Sequence, residues 1–144
     1  MMRQALVSLL TASGTGDAID TYVRGNVFMG AAPDAAELYP CLVYTFAGGS
    51  AQPTLTTSGV LEQRVEVSAF AMRADPARNK QPGDIAADLR TAVIRRLNGW
   101  SQVLADGTVI IGTQLLNPGT DMVTEQRIFR CLCEFYVRYT LTTS

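Results

Sequence analysis

The chain contains no histidine, which removes Ser-His-Asp triads, Cys-His dyads and His-ligated zinc together. Its three cysteines, Cys41, Cys131 and Cys133, are an odd number and too few for a disulfide scaffold. Cys131 and Cys133 stand two apart in a strand-like run, so they share a face and are poorly placed to bridge each other. They read as buried, reduced thiols filling apolar space, which suits a reducing compartment. A metal site built on three thiols would still need a fourth ligand. Ser13-Gly14-Thr15-Gly16 follows a helical pattern and lacks the lysine of a phosphate-binding loop, so it reads as a helix stop. The carboxylate pairs Asp17/Asp20 and Asp84/Asp88 fall in first helical turns, where they complement the helix dipole. Glu62, Arg64 and Glu66 share a strand face and are expected to pair across to Arg127 or Arg130. No nucleophile has a neighbouring base. The expectation is a protein with no catalytic residues, no metal and no cofactor, and hence not an enzyme.

Two groups of basic residues remain. Arg73, Arg78 and Lys80 form a basic loop, and Arg90, Arg95 and Arg96 follow one another along a helix. Nearby acids dilute both, and the formal net charge is −1, so no field draws in nucleic acid or an anionic membrane. They read as solvated surface, compatible with lining a route past which DNA slides without being gripped. The apolar fraction is 47% and the charged fraction 17%, ordinary globular values. At 144 residues the chain reads as one domain, residues 1–144, because two would each be too small to bury a good core. Met1 to Ala12 is too short and too interrupted to read as a secretion signal. No run reaches 18 apolar residues, so no membrane association is expected.

The elements that must carry these residues follow from periodicity. Met2, Ala5, Leu6, Leu9 and Leu10 mark one face of an N-terminal helix. A second short helix is expected over Asp17 to Arg24, a short strand over Asn26 to Met29, and a loop over Gly30 to Tyr39. Pro40 opens a strand, Cys41 to Ala47. A polar arm of about a dozen residues, Gly48 to Gly59, is long for a hairpin loop; Gly48, Gly49, Gln52, Pro53 and Leu55 are its candidate docking residues. Val60 to Met72 alternates as a half-buried strand. Arg73 to Gly83 is a second long polar connection. Ile85, Leu89, Val93 and Leu97 stack every four residues in a helix from Asp84 to Leu97, ended by Asn98-Gly99. Asp106-Gly107 predicts a two-residue hairpin turn. Met122 to Leu141 alternates for about 20 residues, which at ~3.3 Å per residue would extend ~65 Å. So long a strand must bend or project beyond a domain of this size. The fold class is α+β: a mainly antiparallel sheet, with an N-terminal helix and a second helix packed on one face and a long C-terminal strand.

That last strand carries apolar groups on both sides. Phe129, Cys131, Cys133, Phe135, Val137 and Tyr139 line one face. Opposite them Ile128, Leu132 and Tyr136 alternate with Arg130, Glu134 and Arg138. The second set is covered either by another layer of the same domain or by a neighbouring subunit, and its six residues are the candidate subunit interface.

The element order and several stretches resemble the tail-terminator, or tail-completion, proteins of long-tailed phages and gene transfer agents. The resembling pieces are MRQALVSLL, NVFMGAAP, YPCLVYTF, the polar arm to Gly59, LEQRVEVSAFA, PGDIAADLRTAVIRRLNG and RIFRCLCEFYVRY, nearly the whole chain. The Arg73 to Gly83 connection is long for the family, and Trp100 has no role in the pattern. The resemblance implies a virion protein that forms a homo-oligomeric ring, a hexamer, on the head-proximal end of the tail. Such a ring ends tube polymerisation and touches the tail tube protein and a head-completion or connector protein. DNA only passes through it, and the subunits wait in the host cytoplasm during assembly. The alternatives are a soluble α+β ligand- or partner-binding module, or another head–tail connector protein.

Overall fold

The N-terminal periodicity closes as helix α1, Met2–Thr11, in a computed structural model that describes residues 2–47, 54–55, 61–119, 121–124 and 127–140. It buries Leu6 and Leu10 and stops before Gly14 and Gly16, whose φ values of +85° and +71° place the backbone in the left-handed region that glycine tolerates. The expected second helix is a single π-helical turn, Ile19–Val23, closed by an Arg24 N–H donating to the Ile19 carbonyl at 3.4 Å. Strand β1, Val27–Met29, is joined to β2, Cys41–Ala47, through a 3-10 turn at Ala36–Leu38. Within the polar arm, Thr54–Leu55 forms β3, paired to Leu61 and Glu62 of β4, Leu61–Ala71. The arm residues Gly48, Gly49, Gln52 and Pro53 lie outside the described residues.

The Arg73 to Gly83 connection folds back through a 3-10 turn, Pro76–Arg78, and a bridge between Asp75 and Lys80. Helix α2, Pro82–Leu97, therefore starts two residues earlier than the periodicity indicates. Pro82 occupies the first turn, where its missing N–H costs nothing, and Gln81 and Asp84 cap it reciprocally. Strands β5, Gln102–Val103, and β6, Val109–Asn117, form the expected hairpin with a different turn. Leu104 N–H donates to the Thr108 carbonyl at 2.8 Å and Gly107 N–H to the Leu104 carbonyl at 3.0 Å, with Gly107 at φ +89°. That is a three-residue loop ending in a left-handed glycine. Asp-Gly suits either turn; burial of Leu104 and Thr108 selects this register.

The 20-residue strand does not exist as one piece. The alternation divides into β7, Asp121–Val123, and β8, Phe129–Thr140, which pair antiparallel to each other. Between them Thr124 N–H donates to the Ile128 carbonyl at 3.0 Å and Arg127 N–H to the Thr124 carbonyl at 2.9 Å. Twelve residues of β8 span only ~40 Å, and β4 pairs with them from Phe129 to Tyr139, so β8 does not project from the described sheet.

The sheet order is β1-β2-β4-β8-β6-β5, with β7 on β8. Every pairing is antiparallel except β1 with β2. Both helices cover one face, α2 lying over β4 and β8. There Ile85, Leu89, Val93 and Leu97 meet Val65, Val67, Cys133, Phe135 and Val137 in one continuous core, each large side chain contributing about 1.5–3 kcal/mol by burial. Trp100, without a role in the sequence pattern, closes this core beside the β6 edge. Its indole N–H donates to Gln102 at 3.1 Å and its carbonyl accepts from the Thr113 hydroxyl at 3.1 Å.

Gly119 sits where the β6 edge passes to β7. With φ +88°, a Cβ built there would lie 1.3 Å from the Leu132 carbonyl oxygen. Gly119→Ala is expected to cost about 1–3 kcal/mol, from left-handed strain and a forced shift of this crossing. Equilibrium urea unfolding checks it, and a variant within 0.5 kcal/mol of wild type (about the scatter of a neutral surface change) refutes the tight crossing.

Candidate assembly interface

The outer face of the sheet, away from the helices, holds the residues that the sequence singles out, and their register differs from expectation. Glu62 stands opposite Arg138, Arg64 opposite Tyr136, Glu66 opposite Glu134 and Ser68 opposite Leu132. Glu62 therefore accepts from Arg138 at 3.2 Å, and Arg64 pairs with Glu134; neither Arg127 nor Arg130 takes these acids. Arg130 instead donates to the Ser68 hydroxyl at 3.0 Å and lies 5.7 Å over the Phe70 ring. Glu134 is only 8% exposed, and the Arg64 guanidinium offsets both its burial and the like charge of Glu66 opposite.

Part of this face is covered within the chain. Cys41 and Val43 point outward yet are 0% and 6% exposed. The parallel β1–β2 connection supplies cover there, with the Tyr39 ring edge-on to Phe70 at 6.4 Å and the Tyr39 hydroxyl donating to the Pro33 carbonyl at 2.8 Å. Of the six candidate interface residues, Arg130, Glu134 and Arg138 are engaged with β4. Ile128, Leu132 and Tyr136 are half-buried.

The basic loop is not an open cationic patch. Arg78 pairs with Asp75 at 2.8 Å and Lys80 with Asp88 at 3.0 Å. Tyr22 donates to the same Asp75 at 3.0 Å, beneath the Arg78 guanidinium. The hydrogen bond from Arg78 leads the forces that hold the Asp75 carboxyl below its ordinary value. Arg73 is exposed.

Arg96 departs furthest from a solvated helix face. Its side chain is 7% exposed and donates to both Asp17 oxygens at 2.8 Å, to the Leu9 and Ala12 carbonyls at 2.9 Å, and to the Thr15 hydroxyl at 2.8 Å. Asp20 completes the cluster by accepting from the Gly16 N–H at 2.7 Å. The two aspartates thus hold a loop and an arginine as well as the first turn, where Asp17 accepts from the Asp20 N–H at 3.1 Å.

The thiols are chemically quiet. Burial pushes Cys41 up to about 12, Cys131 to about 11 and Cys133 to about 12, so all three stay protonated at neutral pH, a poor state for nucleophile or ligand. Among the described residues no three His, Cys, Asp or Glu side chains group as a metal site, and no helix is long and apolar enough to cross a membrane.

What sequence reasoning missed is a sheet edge. Among the described residues, five of the six exposed large apolar side chains, Val103, Ile111, Leu116, Met122 and Val123, lie on β5, β6 and β7; the sixth, Met29, lies on β1 at the opposite edge. Alternation records which face a residue takes, but not whether its strand has a neighbour.

Among the described residues of this α+β chain, the exposed large apolar side chains lie on strands at the sheet edges. The chain belongs to the family described as tail completion protein gp17, whose model matches residues 4–140, and it is a structural phage-tail protein. Among solved structures, a chain of one described as the virion of native gene transfer agent (GTA) particle superposes with a TM-score of 0.49 at 16% identity, over 94% of this chain and 84% of that one. No curated protein matches the chain in sequence.

Proposed function

We propose that this protein is a tail terminator. Copies of the chain close into a ring, a hexamer, on the head-proximal end of the tail tube in the virion, having waited in the host cytoplasm. The ring ends polymerisation of the tube protein and presents the surface to which the head connector docks, and DNA passes through its channel. Membership of the tail-completion family across nearly the whole chain carries this reading. Tails assembled without the protein are expected to exceed normal length and to fail to join heads. Tails of normal length in its absence would refute the proposal.

Within this reading the outer face of β8 is a contact surface, together with the polar arm that includes Leu55. Leu132, half-buried between Arg130 and Glu134, is its apolar centre. In an isolated subunit an arginine there can turn its head to water, so Leu132→Arg is expected to cost about 1 kcal/mol of stability or less. At a closed contact the same charge would be unpaired, at several kcal/mol. The variant should keep native circular dichroism and lose ring formation. Rings of normal yield, or an unfolded monomer, would exclude this face as the contact.

A further inference from the structure

The two ends of the sheet are unlike. At one end β1 pairs only with β2 among the described strands, and Met29 on it is 55% exposed. At the other end β5 pairs with Val109 and Ile110 and Gly99 donates to the Thr113 carbonyl. Beyond Thr113 no described strand pairs with the far side of β6 or β7, although Val123 there is 59% exposed. A long apolar edge of this kind is a template for pairing with another chain.

We propose that the β7 edge of one copy receives the β1 edge of the next copy, so that the sheet continues from subunit to subunit. This rests on the ring reading above. Three observations on the structure favour a second copy in that orientation. Strand directions come first: β1 runs with β2, and the antiparallel steps through β4 and β8 leave β7 opposed to β1. A copy rotated about an axis along the strands therefore brings β1 antiparallel to β7, a permitted ladder. Faces come second. Met29 pairs with Tyr44, and Asp121 and Val123 pair with Cys131 and Phe129, all on the helix-covered side, so apolar groups meet on one face of the continued sheet. Charge comes third: the Arg3 guanidinium reaches the Met29 sulfur at 3.9 Å, while Asp121 beside Val123 pairs with Arg90 of α2 and still leaves its side chain 65% exposed. One edge thus offers a cation next to an apolar group, and the other a partly engaged carboxylate next to an apolar group. Joining unlike edges head-to-tail generates a ring or a filament, not a closed two-fold dimer.

The test is cross-linking of the purified full chain with a short bismaleimide. The native thiols are buried, so the introduced ones dominate the reaction. Met29→Cys combined with Val123→Cys is expected to give a ladder of covalent oligomers above dimer. Each single variant is expected to stay uncross-linked. A covalent dimer from Val123→Cys alone would mean that like edges meet, and overturns the proposal. Absence of the ladder also overturns it, and sizing of the same sample separates two meanings. Rings of native size without a ladder leave the terminator reading standing and remove this seam. A chain that stays monomeric, in wild type as in the variants, removes the seam and counts against a self-assembled ring as well.

Discussion

Replacing Arg96 by alanine is expected to destabilise the protein by about 3–5 kcal/mol, the range found when one partner of a buried ionic cluster is removed. The cause is the number of acceptors left behind. The Leu9 and Ala12 carbonyls, the Thr15 hydroxyl and both oxygens of Asp17 lose the guanidinium together, and Asp17 keeps the Asp20 N–H on one oxygen. All belong to the stretch from the end of α1 to the π-helical turn, so this stretch should loosen from α2. At about 2–4 °C per kcal/mol for a chain of this size, the melting temperature should fall by about 10 °C. Arg96→Lys should recover only a part, because an ammonium cannot fork across two carboxylate oxygens and two carbonyls at once. The effect carries a pH signature. Burial raises the Asp17 carboxyl, but hydrogen bonds from Arg96, the Asp20 N–H and Thr15 outweigh it and hold it below its ordinary 3.8. A group depressed in the folded state stabilises fully above its unfolded value and loses that contribution as pH falls through the folded one. The gap between wild type and Arg96→Ala should therefore narrow as pH drops below about 4, to the part that the carbonyls and Thr15 contribute. Thermal melts of both proteins across pH 2 to 7 check this. A constant gap across that range would mean that the aspartate does not depend on Arg96.

Phe135→Ala is expected to cost a comparable ~3–5 kcal/mol, for a different reason. Phe135 is the largest fully buried side chain among the described residues, at 0% exposure. It stands at the middle of β8, flanked by Val65 on β4 and Leu115 on β6. Truncation removes the ring from a site walled by hydrogen-bonded strands, which limits collapse into the space. The loss should appear as a lower urea midpoint with an unchanged slope. A cost under 1 kcal/mol would show that α2 sinks into the cavity, and the slope would then report the altered native state.

The sequence by itself determined the faces. Period two placed Val65, Val67, Cys133 and Phe135 on one side and Glu62, Arg64, Glu134 and Arg138 on the other, because a strand side chain can point only two ways. A four-residue stack did the same for Ile85, Leu89, Val93 and Leu97 of α2. What the tertiary structure decided is who stands beside whom. Val123 and Phe129 pair across the β7–β8 turn on the same face, and they are an even number of residues apart. The alternation therefore runs through the reversal without a change of phase, and one long strand and a hairpin read alike. Arg96 shows the same limit, since its partner Asp17 lies 79 residues away and nothing local distinguishes it from Arg95, exposed on the same helix. The exposed edge at Val123 arises from strand order alone. Periodicity is a property of neighbours along the chain, whereas partners across a sheet and the edges left without one are set by the packing of the whole domain.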